Sequence, residues 1–93
     1  MNDKVALTLE QTPKIPKLFR LQWEEAQQAH VLLYPEGMVK LNGPAGEILK
    51  RVDGQKNIGA IAADLEATFN ESDLKKDVLA FLEIAHERGW VRF

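Results

Sequence analysis

The sequence predicts an α+β fold in which a three-stranded antiparallel sheet is followed by a three-helix bundle, in a winged-helix-like arrangement. Three observations predict it. Residues 17–42 carry alternating or β-branched apolar stretches separated by turn residues, the period-2 pattern of half-buried strands. Residues 43–89 carry three segments whose apolar residues recur at helical spacing, each the stripe of an amphipathic helix. All the strands precede all the helices, without the strand–helix alternation of a parallel sheet. In the commoner winged helix the hairpin follows the helices, so the order here is permuted. Residues 1–16 read as an N-terminal extended leader and residues 17–93 as a single winged-helix-like domain.

In the leader, Pro13 and Pro16 disfavour helix on either side of Ile15. Val5, Leu7 and Leu9 alternate with Ala6 and Thr8. The leader is therefore either a frayed tail or a strand that pairs with a free sheet edge, in its own chain or in a second copy. Lys17 to Trp23 alternates as a first strand, with Leu18, Arg20 and Gln22 on one face and Phe19, Leu21 and Trp23 on the other. Glu24 to Gln28 is polar and loop-like. Ala29 to Tyr34 is apolar, β-branched and aromatic enough for a central strand. Pro35-Glu36-Gly37 suits a type I turn, with proline at its second position and glycine at its fourth. Met38 to Leu41 makes a short third strand, and shortness is a common mark of an exposed edge.

The first helix opens with Asn42 as N-cap and Pro44 in the first turn, where a missing N–H costs nothing. Ala45, Ile48, Leu49 and Val52 form its stripe, and Gly54 is the expected left-handed stop. The second helix carries Ile58, Ile61, Ala62, Leu65 and Phe69 behind an Asn57 cap. Ser72 is the expected cap of the third, with Asp73 near its positive end. That helix runs through Leu74, Val78, Phe81, Leu82 and Ala85 to Gly89, and Trp90 to Phe93 follow as a short strand or packed tail.

Composition narrows the function. At 93 residues, 45% hydrophobic and 28% charged, the chain is one ordinary globular domain. A net charge of −2 at pH 7 argues against nucleic acid as the main partner, since phosphate binding needs clustered Lys and Arg. The absence of cysteine removes disulfides, thiolate metal sites and cysteine nucleophiles. His30 and His86 lie in different elements without metal-ligand spacing. Ser72 is the single serine, and its place before a helix explains it as a cap. The acids at Glu24, Glu25, Glu36, Glu71, Asp73, Glu83 and Glu87 fall at turns, helix starts or solvent faces, not as a converging pair. Gly43-Pro44-Ala45-Gly46 has a proline where a phosphate loop needs an amide donor. The expectation is a protein without catalytic residues, metal or cofactor, hence a binder and not an enzyme. No apolar run approaches the roughly 20 residues that span a bilayer, and the first residues lack a signal peptide's apolar stretch. The expected location is the cytoplasm, with no membrane partner. The rival function is a winged-helix DNA-binding regulator. Against it, Lys75, Lys76 and Arg88 of the third helix are offset by Asp73, Asp77, Glu83 and Glu87.

The third helix has more apolar surface than a simple stripe. At about 100° per residue, Leu74, Val78, Phe81 and Ala85 cluster within about 60°. Leu82 sits about 60° beyond their centre, with Lys75 and His86 further round. Leu79 lies about 120° away, where a polar residue is normal. The widened arc predicts a groove between this flank and the edge of the third strand. A peptide added as a further strand beside Met38, Val39, Lys40, Leu41 and Asn42 would bond to backbone and send alternate side chains toward Leu79 and Leu82. Lys75 and His86 would border the groove and favour an acidic ligand.

Trp23, the run Val31-Leu32-Leu33-Tyr34-Pro35-Glu36-Gly37, the Leu41-Asn42 pair, Glu47-Ile48-Leu49, Asp53-Gly54 and the final Gly89-Trp90-Val91 together resemble the coenzyme PQQ synthesis protein D family. The resemblance spans residues 15–93. It implies a peptide chaperone of pyrroloquinoline quinone biosynthesis, which binds the ribosomal precursor peptide and presents it to a radical S-adenosylmethionine (SAM) enzyme. That enzyme cross-links a glutamate and a tyrosine of the peptide and carries the iron–sulfur cluster. The resemblance also implies a domain that recognises the precursor of a ribosomally synthesised, modified peptide (a RiPP recognition element), docking it between the third strand and third helix. An open edge and the Val5-to-Leu9 segment leave two expected states, a monomer or a strand-exchanged homodimer.

Overall fold

The structure is a computed structural model, and it describes residues 6–93. Strands β1 (Arg20–Glu24), β2 (Ala29–Tyr34) and β3 (Gly37–Lys40) form one antiparallel sheet in the order β1-β2-β3. Helices α1 (Gly43–Lys50), α2 (Ile58–Phe69) and α3 (Lys75–Glu87) follow. The α+β class and the strands-then-helices order are as the sequence predicts.

The pairing register assigns the faces. Leu21, Leu32 and Val39 lie side by side across the three strands, and Leu32 is fully buried against the helices. On the same face Phe19 stacks on Tyr34 with ring centres 5.3 Å apart, and Trp23 meets the His30 ring edge-on at 5.0 Å. Arg20, Leu33 and Met38 form a row on the opposite face. The first strand starts at Arg20, three residues later than its alternation suggests. Behind Pro16 the chain makes a turn instead, closed by the Phe19 N–H on the Pro16 carbonyl at 2.9 Å. The polar Glu24-to-Gln28 stretch holds a single tight helical turn, Glu25–Gln27, ended by Gln28 in the left-handed region (φ 51°).

Two helix ends differ from their sequence signals. Asn42 and Asn57 cap as expected, their side-chain oxygens accepting the N–H of Ala45 and Ala60 at 2.8 Å. Gly54 is left-handed (φ 76°) but does not stop α1, which has already ended at Lys50; it belongs to the turn leading to α2. Ser72 does not cap α3. That start is made from another helix: the Leu74 N–H donates to the Glu66 carboxylate at 2.9 Å, with Asp73 left-handed (φ 61°) before it. At the far end of α3, Gly89 (φ 79°) allows the Trp90 N–H to reach the Ala85 carbonyl and its own N–H to reach that of His86, a Schellman stop.

The described part of the leader is tied down at three places. Leu7 enters the core, and the carbonyls of Gln11 and Leu9 accept the N–H groups of Ile58 and Gly59 at 2.9 Å, at the start of α2. Lys14 and Arg92 exchange both backbone hydrogen bonds, at 2.7 and 2.8 Å, so the C-terminal tail packs beside the leader. Trp90 and Val91 are buried in the same core. Val5, the first residue of the expected leader strand, lies outside the described residues. No residue from 6 to 16 pairs with the three-stranded sheet.

Candidate functional site

β3 pairs only with β2 among the described residues, so its other edge has no strand beside it. The hydrogen-bond phase of that edge follows from two contacts. Tyr34 and Gly37 close a two-residue turn, and the Leu41 N–H donates to the His30 carbonyl at 3.0 Å. In an antiparallel pair, residues whose backbone groups point to the partner alternate with residues whose groups point away. Gly37, Val39 and Leu41 therefore face β2. Met38 and Lys40 direct their N–H and C=O outward, which makes a short row of donors and acceptors able to take another strand.

The side chains on this stretch divide accordingly. Met38 leaves 53% of its surface exposed, on the face away from the helices, and Lys40 is exposed on that same face. Val39 is half-buried toward the helices and Leu41 is buried in the core. Asn42 is exposed, but its side-chain oxygen is occupied in capping α1.

On α3 the buried residues are Val78, Leu82 and Ala85. Relative to the stripe read from sequence, the core-facing side is turned by about 40° toward Leu82. Leu82 is fully buried, so its side chain supports the helix from beneath and presents no surface to a ligand. Leu79 is half-buried at the edge of the stripe, packed on the core, so the arc is shifted more than it is widened. Lys75 and His86 are exposed, and the His86 ring meets Phe93 edge-on at 5.3 Å.

A cavity of about 600 Å³ opens where β3 runs into α1. Gly43, Pro44 and Ile48 line it from α1, Leu65 and Phe69 from α2, and Leu74 and Val78 from the α3 side. Its charged lining is acidic: Glu47, Glu71 and Asp77. Glu47 pairs with Arg51 at 2.8 Å, and Arg51 also approaches Asp64 at 3.3 Å and lies over the Phe69 ring. Glu71 and Asp77 form no ion pair among the described residues. The structure thus brings the start of α1, three residues past the end of β3, together with Leu74, Asp77 and Val78. Lys75, Leu79, Leu82 and His86 do not line this cavity; at 100° per residue, Asp77 lies on the flank of α3 opposite Leu79. Phe69 was readable as core from its spacing, yet it is 47% exposed on the cavity wall. The cavity was not legible in the sequence because its walls come from three helices whose mutual placement no single stripe encodes.

Among the described residues no three His, Asp or Glu side chains gather as a metal-holding group. No helix there is long and apolar enough to cross a membrane.

Comparison with known proteins agrees with the fold. The family model for coenzyme PQQ synthesis protein D matches residues 29–91. A protein named PqqA binding protein from Azotobacter vinelandii is 56% identical over 85 residues, covering 90% of this chain and 92% of that one. One of the same name from Klebsiella pneumoniae is 50% identical over 74 residues, covering 78% and 80%. The solution structure of the PqqD truncation of Methylobacterium extorquens PqqCD, described as a functional, stand-alone RiPP recognition element, superposes with a TM-score of 0.81 at 30% identity, over 95% of this chain and 96% of that one. The crystal structure of PqqD from Xanthomonas campestris gives 0.57 at 29% identity, over 94% and 99%. By the extent of these matches, the chain belongs to the coenzyme PQQ synthesis protein D family.

Proposed function

We propose that this chain is a non-catalytic peptide chaperone of pyrroloquinoline quinone biosynthesis. It binds the ribosomal precursor peptide as a fourth strand on the open edge of β3. It then presents the peptide to the radical SAM enzyme that joins its glutamate and tyrosine. The observation that carries the reading is the outward backbone of Met38 and Lys40 on an edge without a neighbour among the described residues. Strand addition draws its affinity from main-chain hydrogen bonds and needs no conspicuous side-chain motif. The name PqqA binding protein borne by relatives at 50 to 56% identity supports the same ligand. The place of synthesis of a ribosomal peptide puts the encounter in the cytoplasm.

In this reading Met38, Val39, Lys40, Leu41 and Asn42 form the strand wall of the site. Lys75, Leu79 and His86, with Leu82 beneath them, are one candidate helix wall. The other candidate is the opposite flank of α3, at Leu74 and Asp77, which shares a cavity with Gly43 and Pro44 at the start of α1. Calorimetry with the pathway's precursor peptide, read beside amide shifts of the labelled chain, tests the proposal. Binding with shifts at residues 38–42 is the expected result. Shifts at 75, 79 and 86 or at 74, 77 and 78 then choose the helix wall. Binding that leaves residues 38–42 unmoved would overturn strand addition. A DNA-binding regulator would instead bind duplex DNA with an affinity that collapses as salt rises.

A further inference from the structure

We infer that the cavity at the strand-to-helix corner selects an apolar residue of the precursor peptide that lies beside a lysine or arginine. The inference rests on the strand-addition reading, because that reading delivers the peptide to the cavity's mouth. β3 ends at Lys40, and Gly43 and Pro44, three and four residues on, already line the cavity. At about 3.3 Å per residue, a strand laid along Met38 to Lys40 reaches the corner within a few residues.

The lining has two parts that ask for two chemistries. Its floor is apolar: Ile48, Leu65 and Val78 are core residues, and the Phe69 ring forms a wall that is almost half exposed. A volume of about 600 Å³ falls within the range of small-ligand pockets and accepts a large aliphatic or aromatic side chain. Its charge is of one sign, with Glu47, Glu71 and Asp77 and no Lys, Arg or His among the lining residues. Of the three lining acids, Arg51 compensates only Glu47. Asp77 also suits the positive end of α3, which accounts for its place there but not for that of Glu71 in the same lining. A lysine or arginine can lay its aliphatic stem along Phe69 and hold its charged head at the two unpaired carboxylates. A peptide acid at the same place meets only like charge. Lys75 and His86, outside this cavity, would suit an acidic ligand, whereas this corner suits a basic one.

The test is a two-by-two cycle on the full chain. The wild-type chain and a Glu71→Gln, Asp77→Asn double variant are each titrated with the precursor peptide. Each is also titrated with a copy of the peptide in which every Lys and Arg is replaced by Gln. Both changes remove charge from exposed positions, so the variant's amide spectrum and melting temperature serve as folding controls. The expected result is that either change alone weakens binding about tenfold and that both together weaken it little more. Binding by the double variant within twofold of wild type overturns the inference. So do losses that simply multiply, which would put the peptide's basic residues elsewhere. Amide shifts at residues 38–42 report strand addition separately. Their absence beside an intact charge cycle would reject the strand reading and keep the cavity's selectivity; their presence without a charge cycle would do the reverse.

Discussion

The N–H of Lys40 points away from β2, so a proline at this position removes a donor from the open edge and leaves the β2–β3 ladder whole. Proline is tolerated on edge strands in that orientation. Lys40→Pro should retain the fold and weaken peptide binding about tenfold, measured by calorimetry with circular dichroism as the control. Val39→Pro breaks a bond to β2 instead and should lower the melting temperature first. Asn42 serves the corner in a different way, through its cap on Ala45. Asn42→Ala should cost about 1 kcal/mol in denaturant unfolding. Asp53 shows how a single carboxylate can carry an acid-side dependence. The N–H groups of Lys56 and Gln55, both at 2.9 Å, and then the Lys56 ammonium hold its pKa down to about 2 from 3.8. A lowered folded pKa gives stability that is present above the ordinary value and lost as pH falls toward the folded one. Asp53→Asn should therefore flatten the part of the stability curve between about pH 4 and pH 2, seen by chemical denaturation at several pH values.

Helix α1 crosses β2 with no room to spare at Gly46. A Cβ added at Gly46 would lie 2.8 Å from His30 Nδ1 and 3.2 Å from its Cβ, closer than packed atoms allow. Gly46→Ala should thus gain helix propensity yet lose about 1–3 kcal/mol through a displaced His30, read as a lower midpoint in urea. What the sequence disclosed about elements depended on how local the signal was. Asn42 and Asn57 declare their caps because donor and acceptor lie three residues apart. The start of α3 was misassigned to Ser72 because its actual partner, Glu66, belongs to the preceding helix. The same reason separates strand from helix: the edge of β3 followed from a short run after Pro35-Glu36-Gly37, whereas the exact buried side of α3 did not. Periodicity gives a helix's stripe to within a few tens of degrees, and an error of about 40° was enough to make Leu82 look like a surface residue.

At the scale of the whole molecule, the leader and the tail hold the helical layer together. Leu7 is part of the core, and the leader's carbonyls satisfy donors at the start of α2. Leu7→Ala should cost about 2 kcal/mol or more. Truncation to Pro13 should cost more still and leave peptide affinity no tighter, since no described leader residue lies on the β3 edge. The fold class was legible because the order of patterns along the chain is itself the architecture. The clasp between Lys14 and Arg92 was not, because a pair of bonds joining residues near opposite ends leaves no local mark.

Between the last residue of β3 and the first residue of α1 there are only two residues, Leu41 and Asn42. One is buried and bonded to His30, and the other is fixed by its cap. A joint this short has no slack, so the distance from the strand edge to the cavity is constant. For a peptide that engages both, the second contact is made at the effective concentration set by a short tether, and two weak attachments combine into avidity. The peptide's own spacing must then match a fixed ruler. Adding a single glycine between its strand-pairing and cavity-filling segments would uncouple them, even with every contact residue unchanged.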